Sequence, residues 1–189
     1  KLMIYLPTSK PWNNFKYYMD IEEIETYIGK VPDFPKPGIL YYDISSLLIN
    51  GKAFSETVKK LCSLLNNYDF DTIAAIDARG FIFGSAVANK LNIGMIMIRK
   101  KNKLPGKTIS HDYQLEYGND TLEINVDTNN KRIILIDDLL ATGGTAKAAI
   151  DLIEKAGGKV KCFTSVIELN FLKGREKLKL PIESLIKYD

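Results

Sequence analysis

The spacing of apolar residues changes several times along this chain, and each change marks an element. "DIEEIETYIG" predicts a short helix, with Asp20 as its N-cap and Gly29 as its stop signal. "VPDFPKPGI" cannot be helical, because its three prolines force a stiff, extended segment. A longer helix is predicted from about Lys52 to Leu65, where Phe54, Val58, Leu61 and Leu65 recur at helical spacing. The period then shortens. "DTIAAIDARG" reads as an apolar strand ending in a polar turn, followed by a helix over "FIFGSAVANKLN" and a second strand over "IGMIMIRK". "YQLEYGNDTLEINV" alternates on either side of Gly118-Asn119-Asp120, as an antiparallel pair joined by a turn there would. "KRIILIDD" is the next strand, "TAKAAIDLIEKAGG" its helix and "KVKCFTSVIEL" another strand.

Strands alternating with helices of this length imply an α/β fold, a mainly parallel twisted sheet flanked by helices on both faces. Such open sheets bind ligands beyond the carboxyl ends of their strands. The polar stretches "DARG", "RKKNK" and "DDLLATGGT" all fall there.

Composition narrows the classes. At 189 residues and 46% hydrophobic, the chain can bury a sizeable core. No apolar run approaches the roughly 18–20 residues of a membrane span, and no basic-then-apolar leader opens the chain, so no membrane partner is expected. Cys62 and Cys162 are two lone thiols rather than a disulfide framework, which suits a reducing, cytoplasmic location. A net charge of +3 gives no reason to expect nucleic acid, although "IRKKNKLPGK" concentrates positive charge locally. His111 is the only histidine, which argues against a His-based metal cage or a Ser/His triad.

The chemistry is concentrated in "RIILIDDLLATGGTAKAAI". Ile133–Ile136 is an apolar run suited to a central strand, and Asp137 and Asp138 fall where that strand meets solvent. Ala141, Thr142, Gly143, Gly144 and Thr145 then lead into a helix. Glycines let backbone N–H groups close on an anion, and the helix N-terminus adds its positive dipole, so the loop suits a terminal phosphate. A Walker-type loop would need Gly-Lys-Ser/Thr, whereas Thr145 and Ala146 follow Gly144. Two adjacent carboxylates would repel that phosphate. They can, however, hold the cis-diol of a ribose and stabilise positive charge developing on it in an oxocarbenium-like transition state. A 5-phosphoribosyl donor needs both features.

This stretch resembles the donor motif of the type I phosphoribosyltransferases. "PDFPKPGILYYDIS", "DARGFIFG", "IRKKNKLPG", "LEYGNDTLEI" and "IELNFLKGREKL" follow the order found in that family's adenine branch. The resemblance implies transfer of phosphoribosyl from phosphoribosyl pyrophosphate to adenine, giving AMP and pyrophosphate. Mg²⁺ would be held by donor oxygens and water rather than by a protein cage. It further implies a homodimer, and a division into an N-terminal hood with the base-recognition segment (residues 1–50) and a catalytic core (51–189) with a flexible lid at 107–126.

The same resemblance assigns roles to individual residues. Asp77, Ala78 and Arg79 would take pyrophosphate on a turn with a non-proline cis peptide between Asp77 and Ala78, where relatives often carry serine at Ala78. Arg99, Lys100 and Lys103 would add cations, and Tyr117 would cover the donor. Glu116, with Arg79, is the catalytic assignment: a carboxylate at adenine N7 accepts the proton shed as N9 attacks. Leu40, Tyr41, Tyr42 and Leu169 would bind the base, Tyr41 by stacking and Leu40 and Tyr42 through backbone groups. Relatives often have arginine where this chain has Tyr42. Two other readings are a donor-sensing regulator of the same fold, for which residues 1–30 are too few to form a DNA-binding module, and an enzyme for another purine base. The hypoxanthine-guanine branch resembles an E-D variant of the motif, with a lysine placed to read a carbonyl oxygen, whereas this chain has Asp137 and no lysine in "VIELNFLK" before Lys173.

Overall fold

The computed structural model describes residues 18–115 and 118–189. Strand β3 (Thr72–Ile76) lies at the centre of a seven-stranded sheet of order β5-β6-β4-β3-β7-β8-β9. Around it run β4 (Gly94–Lys100), β7 (Arg132–Leu140), β8 (Lys159–Leu169) and β9 (Ile182–Tyr188), all parallel. Strands β5 (Ile109–Leu115) and β6 (Gly118–Ile124) extend β4 as an antiparallel arm. Helix α4 (Gly80–Leu91) carries the chain from β3 to β4, and α5 (Gly144–Lys155) from β7 to β8.

Period-2 alternation along the central strands produces two cores, one on each face. Ile73, Ile134 and Ile136 join Leu61 and Phe83 on the side of α4 and α3 (Gly51–Leu64). Ala74, Ile76, Ile133, Leu135 and Phe163 join Ala149 and Ile153 of α5 on the other. Gly84 lets α4 lie close on β3, because a Cβ there would meet the Ala75 methyl at 2.5 Å. Residues between β3 and α4, and between β7 and α5, are thereby brought side by side at the carboxyl edge.

The N-terminal helix α1 (Ile21–Glu25) is capped by Asp20, whose carboxylate accepts from Glu23 N–H at 2.8 Å. Gly29 does not stop this helix; it opens β1 (Gly29–Pro32), which pairs antiparallel with β2 (Leu40–Asp43) across the proline-rich loop. The expected long helix begins at Gly51, where the Asn50 side chain accepts from Lys52 and Ala53 N–H groups. A short helix α2 (Ser45–Ile49) precedes it, without a periodic signal long enough to reveal it.

Three further boundaries differ from expectation. Gly118, Asn119 and Asp120 are strand residues opposite Leu115, Gln114 and Tyr113, not the turn of the arm. Strand β7 runs through Asp137 and Asp138 to Leu140 because β8 continues to pair with it as far as Glu168. β9 adds an edge strand that a short C-terminal segment did not announce.

Candidate active site

The site is built where β3, β4 and β7 end. After β3 the chain turns through Asp77, Ala78 and Arg79, with the Asp77–Ala78 peptide cis as the resemblance implied. Gly80 follows because the turn lies directly on β7: a Cβ there would come within 2.9 Å of Asp137 Oδ1 and 3.0 Å of the Ile136 carbonyl oxygen.

Asp137 Oδ1 accepts from the Asp138 N–H at 2.8 Å. Burial, and then the neighbouring Asp138 charge, pushes the Asp137 carboxyl well above its usual range. Burial raises Asp138 as well, opposed by the Arg79 guanidinium. Asp138 is 5% exposed, and its Oδ2 lies 2.9 Å from Arg79 Nη2 without hydrogen-bond geometry. A buried carboxylate oxygen lacking a hydrogen bond is costly unless a ligand hydroxyl or another donor completes it.

Beyond β7, Gly143 occupies the left-handed region at φ 75°, a conformation that favours glycine, and opens α5. No side chain caps this helix and no acidic residue stands in its first turn, so its leading N–H groups and dipole face an anion site. A cavity of about 220 Å³ lies over them, lined from Asp137 through Ala146 and by Arg79. A second, of about 250 Å³, is bordered by Asp77, Ala78, Lys100, Tyr113 and Asp120. Arg79, Asp137, Asp138 and Thr145 line both. Two anion-sized lobes thus meet at the paired acids.

The cationic strand end is engaged rather than simply solvated. Arg99 Nε donates to Asp77 Oδ2 at 3.1 Å and its Nη1 to the Lys103 carbonyl at 3.2 Å, while Lys100 Nζ lies 3.3 Å from Asp120 Oδ2. Lys103 itself is exposed, and neither it nor Arg99 lines either cavity. Tyr113 is a site residue that the sequence reading missed. Its hydroxyl donates to Asp120 Oδ2 at 3.4 Å, and burial raises its pKa. Its position in an alternating strand gave no sign that it would face the pocket.

Toward β2, Arg79 Nη1 donates to the Tyr41 hydroxyl at 2.8 Å and to the Tyr42 carbonyl at 3.3 Å. Phe34 meets the Tyr41 ring edge-on at 5.1 Å. Leu40 is exposed next to them. Tyr42 alternates inward, 5% exposed, and its ring packs on Tyr188 at 4.6 Å, leaving only its main chain toward Arg79. Leu169 is also largely inside, at 6% exposure, in the same core cluster as Tyr42. Glu116 and Tyr117 lie outside the described residues.

Among the described residues, no group of three or more His, Cys, Asp or Glu side chains is placed to hold a metal ion. The carboxylates around the second cavity are also partly committed, Asp77 to Arg99 and Asp120 to Lys100. This donor set fits a Mg²⁺ that takes most of its oxygens from a bound polyphosphate and water. Nor is any described helix long and apolar enough to cross a membrane.

Comparison with known proteins agrees with this geometry. The phosphoribosyl transferase domain family matches residues 45–186. The adenine phosphoribosyltransferase of Koribacter versatilis is 48% identical over 171 residues, covering 89% of this chain and 94% of the relative. The crystal structure of the Thermoanaerobacter pseudethanolicus adenine phosphoribosyltransferase superposes with a TM-score of 0.87 at 46% identity, covering 89% of this chain and 99% of that one. The Saccharomyces cerevisiae enzyme, solved with an imino-altritol bisphosphate and adenine, gives a TM-score of 0.82 at 34% identity, covering 87% and 97%. With its paired acids, its uncapped helix and its near full-length match to these proteins, the chain belongs to the adenine phosphoribosyltransferases.

Proposed function

We propose that the protein transfers the 5-phosphoribosyl group of phosphoribosyl pyrophosphate to adenine, forming AMP and pyrophosphate for purine salvage. The observation that carries this reading is the meeting of two cavities at Asp137 and Asp138, one over the uncapped N-terminus of α5 and the other beside Arg79 and Lys100. A donor with phosphate at one end, pyrophosphate at the other and a diol between them matches that arrangement.

In this reading, the N–H groups of Gly143, Gly144 and Thr145 and the hydroxyls of Thr142 and Thr145 hold the 5-phosphate, with Ala141 shaping the loop. Asp137 and Asp138 accept from the ribose hydroxyls. Their negative charge favours the positive charge that builds on the ribose as its bond to pyrophosphate breaks. Asp77 and Ala78 form the floor under the leaving group, and Arg79, Arg99, Lys100 and Lys103 draw off its charge. Mg²⁺, when bound with the donor, supplies further charge neutralisation on the pyrophosphate oxygens. Adenine stacks on Tyr41, with Leu169 on its opposite face and its edge read by main-chain groups near Leu40 and Tyr42. Glu116 takes the proton from the imidazole part of the base as N9 bonds to the ribose, and Tyr117 closes over the donor to exclude water.

Residues 1–50 act as the hood over the base and 107–126 as the lid, on the core formed by 51–189. The protein works as a cytoplasmic homodimer. Supporting the pairing are large apolar side chains left exposed on the single chain, Ile49 and Met97 among them. The test is a panel of adenine, hypoxanthine and guanine with donor and Mg²⁺, following pyrophosphate release. Adenine should be consumed at a rate well above the other two. Equal or faster use of an oxopurine would replace the adenine reading, and no release with any base would favour a donor-sensing protein.

A further inference from the structure

Against the loop at 141–143 packs a short 3₁₀ turn at Gly174–Lys177. Its first residue touches the loop backbone to backbone. A Cβ on Gly174 would lie 2.1 Å from the Ala141 carbonyl oxygen, and one on Gly143 would lie 2.5 Å from the Gly174 carbonyl oxygen. With no side chain between them, a displacement of Gly174 displaces the loop. Gly174 enters the turn behind Lys173, which is held in the left-handed region at φ 54°.

What fixes this turn is a fork-to-fork ion pair. Arg175 Nε donates to Glu168 Oε1 at 2.8 Å, Nη2 to Oε2 at 2.7 Å, and Nη1 to the Ile182 carbonyl oxygen at 3.0 Å. Glu168 is 2% exposed at the end of β8, and Ile182 begins β9. Burial alone would raise the Glu168 carboxyl, yet the Arg175 and Ser184 contacts hold it below its usual value. The guanidinium is thus anchored to two strands of the sheet in one planar geometry that a lysine cannot reproduce.

We propose that Arg175, clamped by Glu168, is a positioning residue for the 5-phosphate: through Gly174 it sets where the backbone N–H donors of the Gly143–Thr145 turn point. The clamp touches no substrate. Anion binding by backbone amides depends on their placement within about half an ångström, so a loop that slackens loses affinity while its residues stay the same. Leu40 and Tyr41, assigned to the base, belong to a different segment of chain. Leu169, although it follows Glu168, is held in the core cluster with Tyr42, so the effect falls mainly on the donor.

The inference rests on the assignment of residues 141–145 to the 5-phosphate. It is tested with Gly174→Ala, Arg175→Lys and Arg175→Gln, measuring ribose 5-phosphate binding by calorimetry, KM for donor and for adenine, and the melting temperature of each variant. Gly174→Ala should weaken ribose 5-phosphate binding about tenfold or more, since misplacement by an ångström costs up to about a hundredfold at such sites. Arg175→Lys should retain more affinity than Arg175→Gln. In each case the donor KM should rise while the adenine KM stays within about twofold, the split expected when only one subsite is disturbed. Unchanged ribose 5-phosphate affinity in the folded variants would overturn the proposal. So would a parallel rise of both KM values, or failure of all three variants to fold, either of which would make the clamp purely structural. If the unaltered protein itself fails to bind ribose 5-phosphate, the assignment of the loop is wrong and the inference falls with it.

Discussion

Arg79 Nη2 lies 2.9 Å from Asp138 Oδ2, while Nη1 of the same guanidinium donates to the Tyr41 hydroxyl at 2.8 Å. One side chain therefore joins the acid pair, proposed to hold the ribose, to the Tyr41 ring, proposed to stack on the base. Arginine suits this position because its planar fork serves two directions at once, whereas a lysine offers a single point charge. Arg79→Lys should reduce kcat/KM about a hundredfold or more and raise KM for both substrates. A change confined to the donor KM would show that the link to Tyr41 is incidental.

Asp137→Asn should exchange function for stability. The unfolded carboxyl titrates near about pH 4, and burial together with Asp138 raises the folded value well above that. The stability conferred by the neutral acid is complete below the unfolded value and is lost as pH rises through the folded one. Asparagine stays neutral throughout. The variant should therefore melt higher than the parent at pH 8, with a smaller gain at pH 5, while turnover collapses. An equal or lower melting temperature at pH 8 would contradict the strained-pair description.

Tyr42→Ala tests whether the base is read by main chain. The ring is nearly fully buried on Tyr188, so its removal should cost about 3–5 kcal/mol in denaturant unfolding. Provided the variant is assayed well below its melting point, the adenine KM should change little, because the Tyr42 carbonyl rather than the ring faces Arg79. A large rise in adenine KM with modest loss of stability would reverse that conclusion.

Tyr113→Phe removes the hydroxyl bonded to Asp120 at the edge of the second cavity, the one proposed to take pyrophosphate. The donor KM should rise about threefold to tenfold, the worth of a single hydrogen bond, with no change for adenine. Steady-state kinetics with each substrate varied in turn would show it.

Glu116→Gln should leave donor binding nearly intact and slow turnover about tenfold or more, as expected for loss of a general base. Pre-steady-state measurement of AMP formation separates this from slow product release. An unchanged rate would remove Glu116 from the chemistry.

The central sheet was legible because its strands have no choice. Thr72–Ile76 and Ile133–Ile136 are buried on both faces, so their sequence must be continuously apolar, and such runs separated by helices admit few topologies. The loop at 141–145 was legible because glycine before a helix has a local, backbone reason. Less visible were α2, β9 and the β1–β2 hairpin, which are short and owe their form to neighbours in space rather than to any period of their own.

By itself, the sequence determined the alternation of strands and helices from β3 to β8, the polar stretches at the strand ends and the chemical types available there, since these follow from local periodicity and residue chemistry. Tertiary structure alone decided that Tyr113 faces the pocket, that Tyr42 turns inward and that Arg79 spans from Tyr41 to Asp138. It also decided that Gly174 braces Gly143. The reason is physical: each of these depends on which side chain occupies the space opposite, and residues 38, 59 and 31 positions apart meet there only when the sheet has formed.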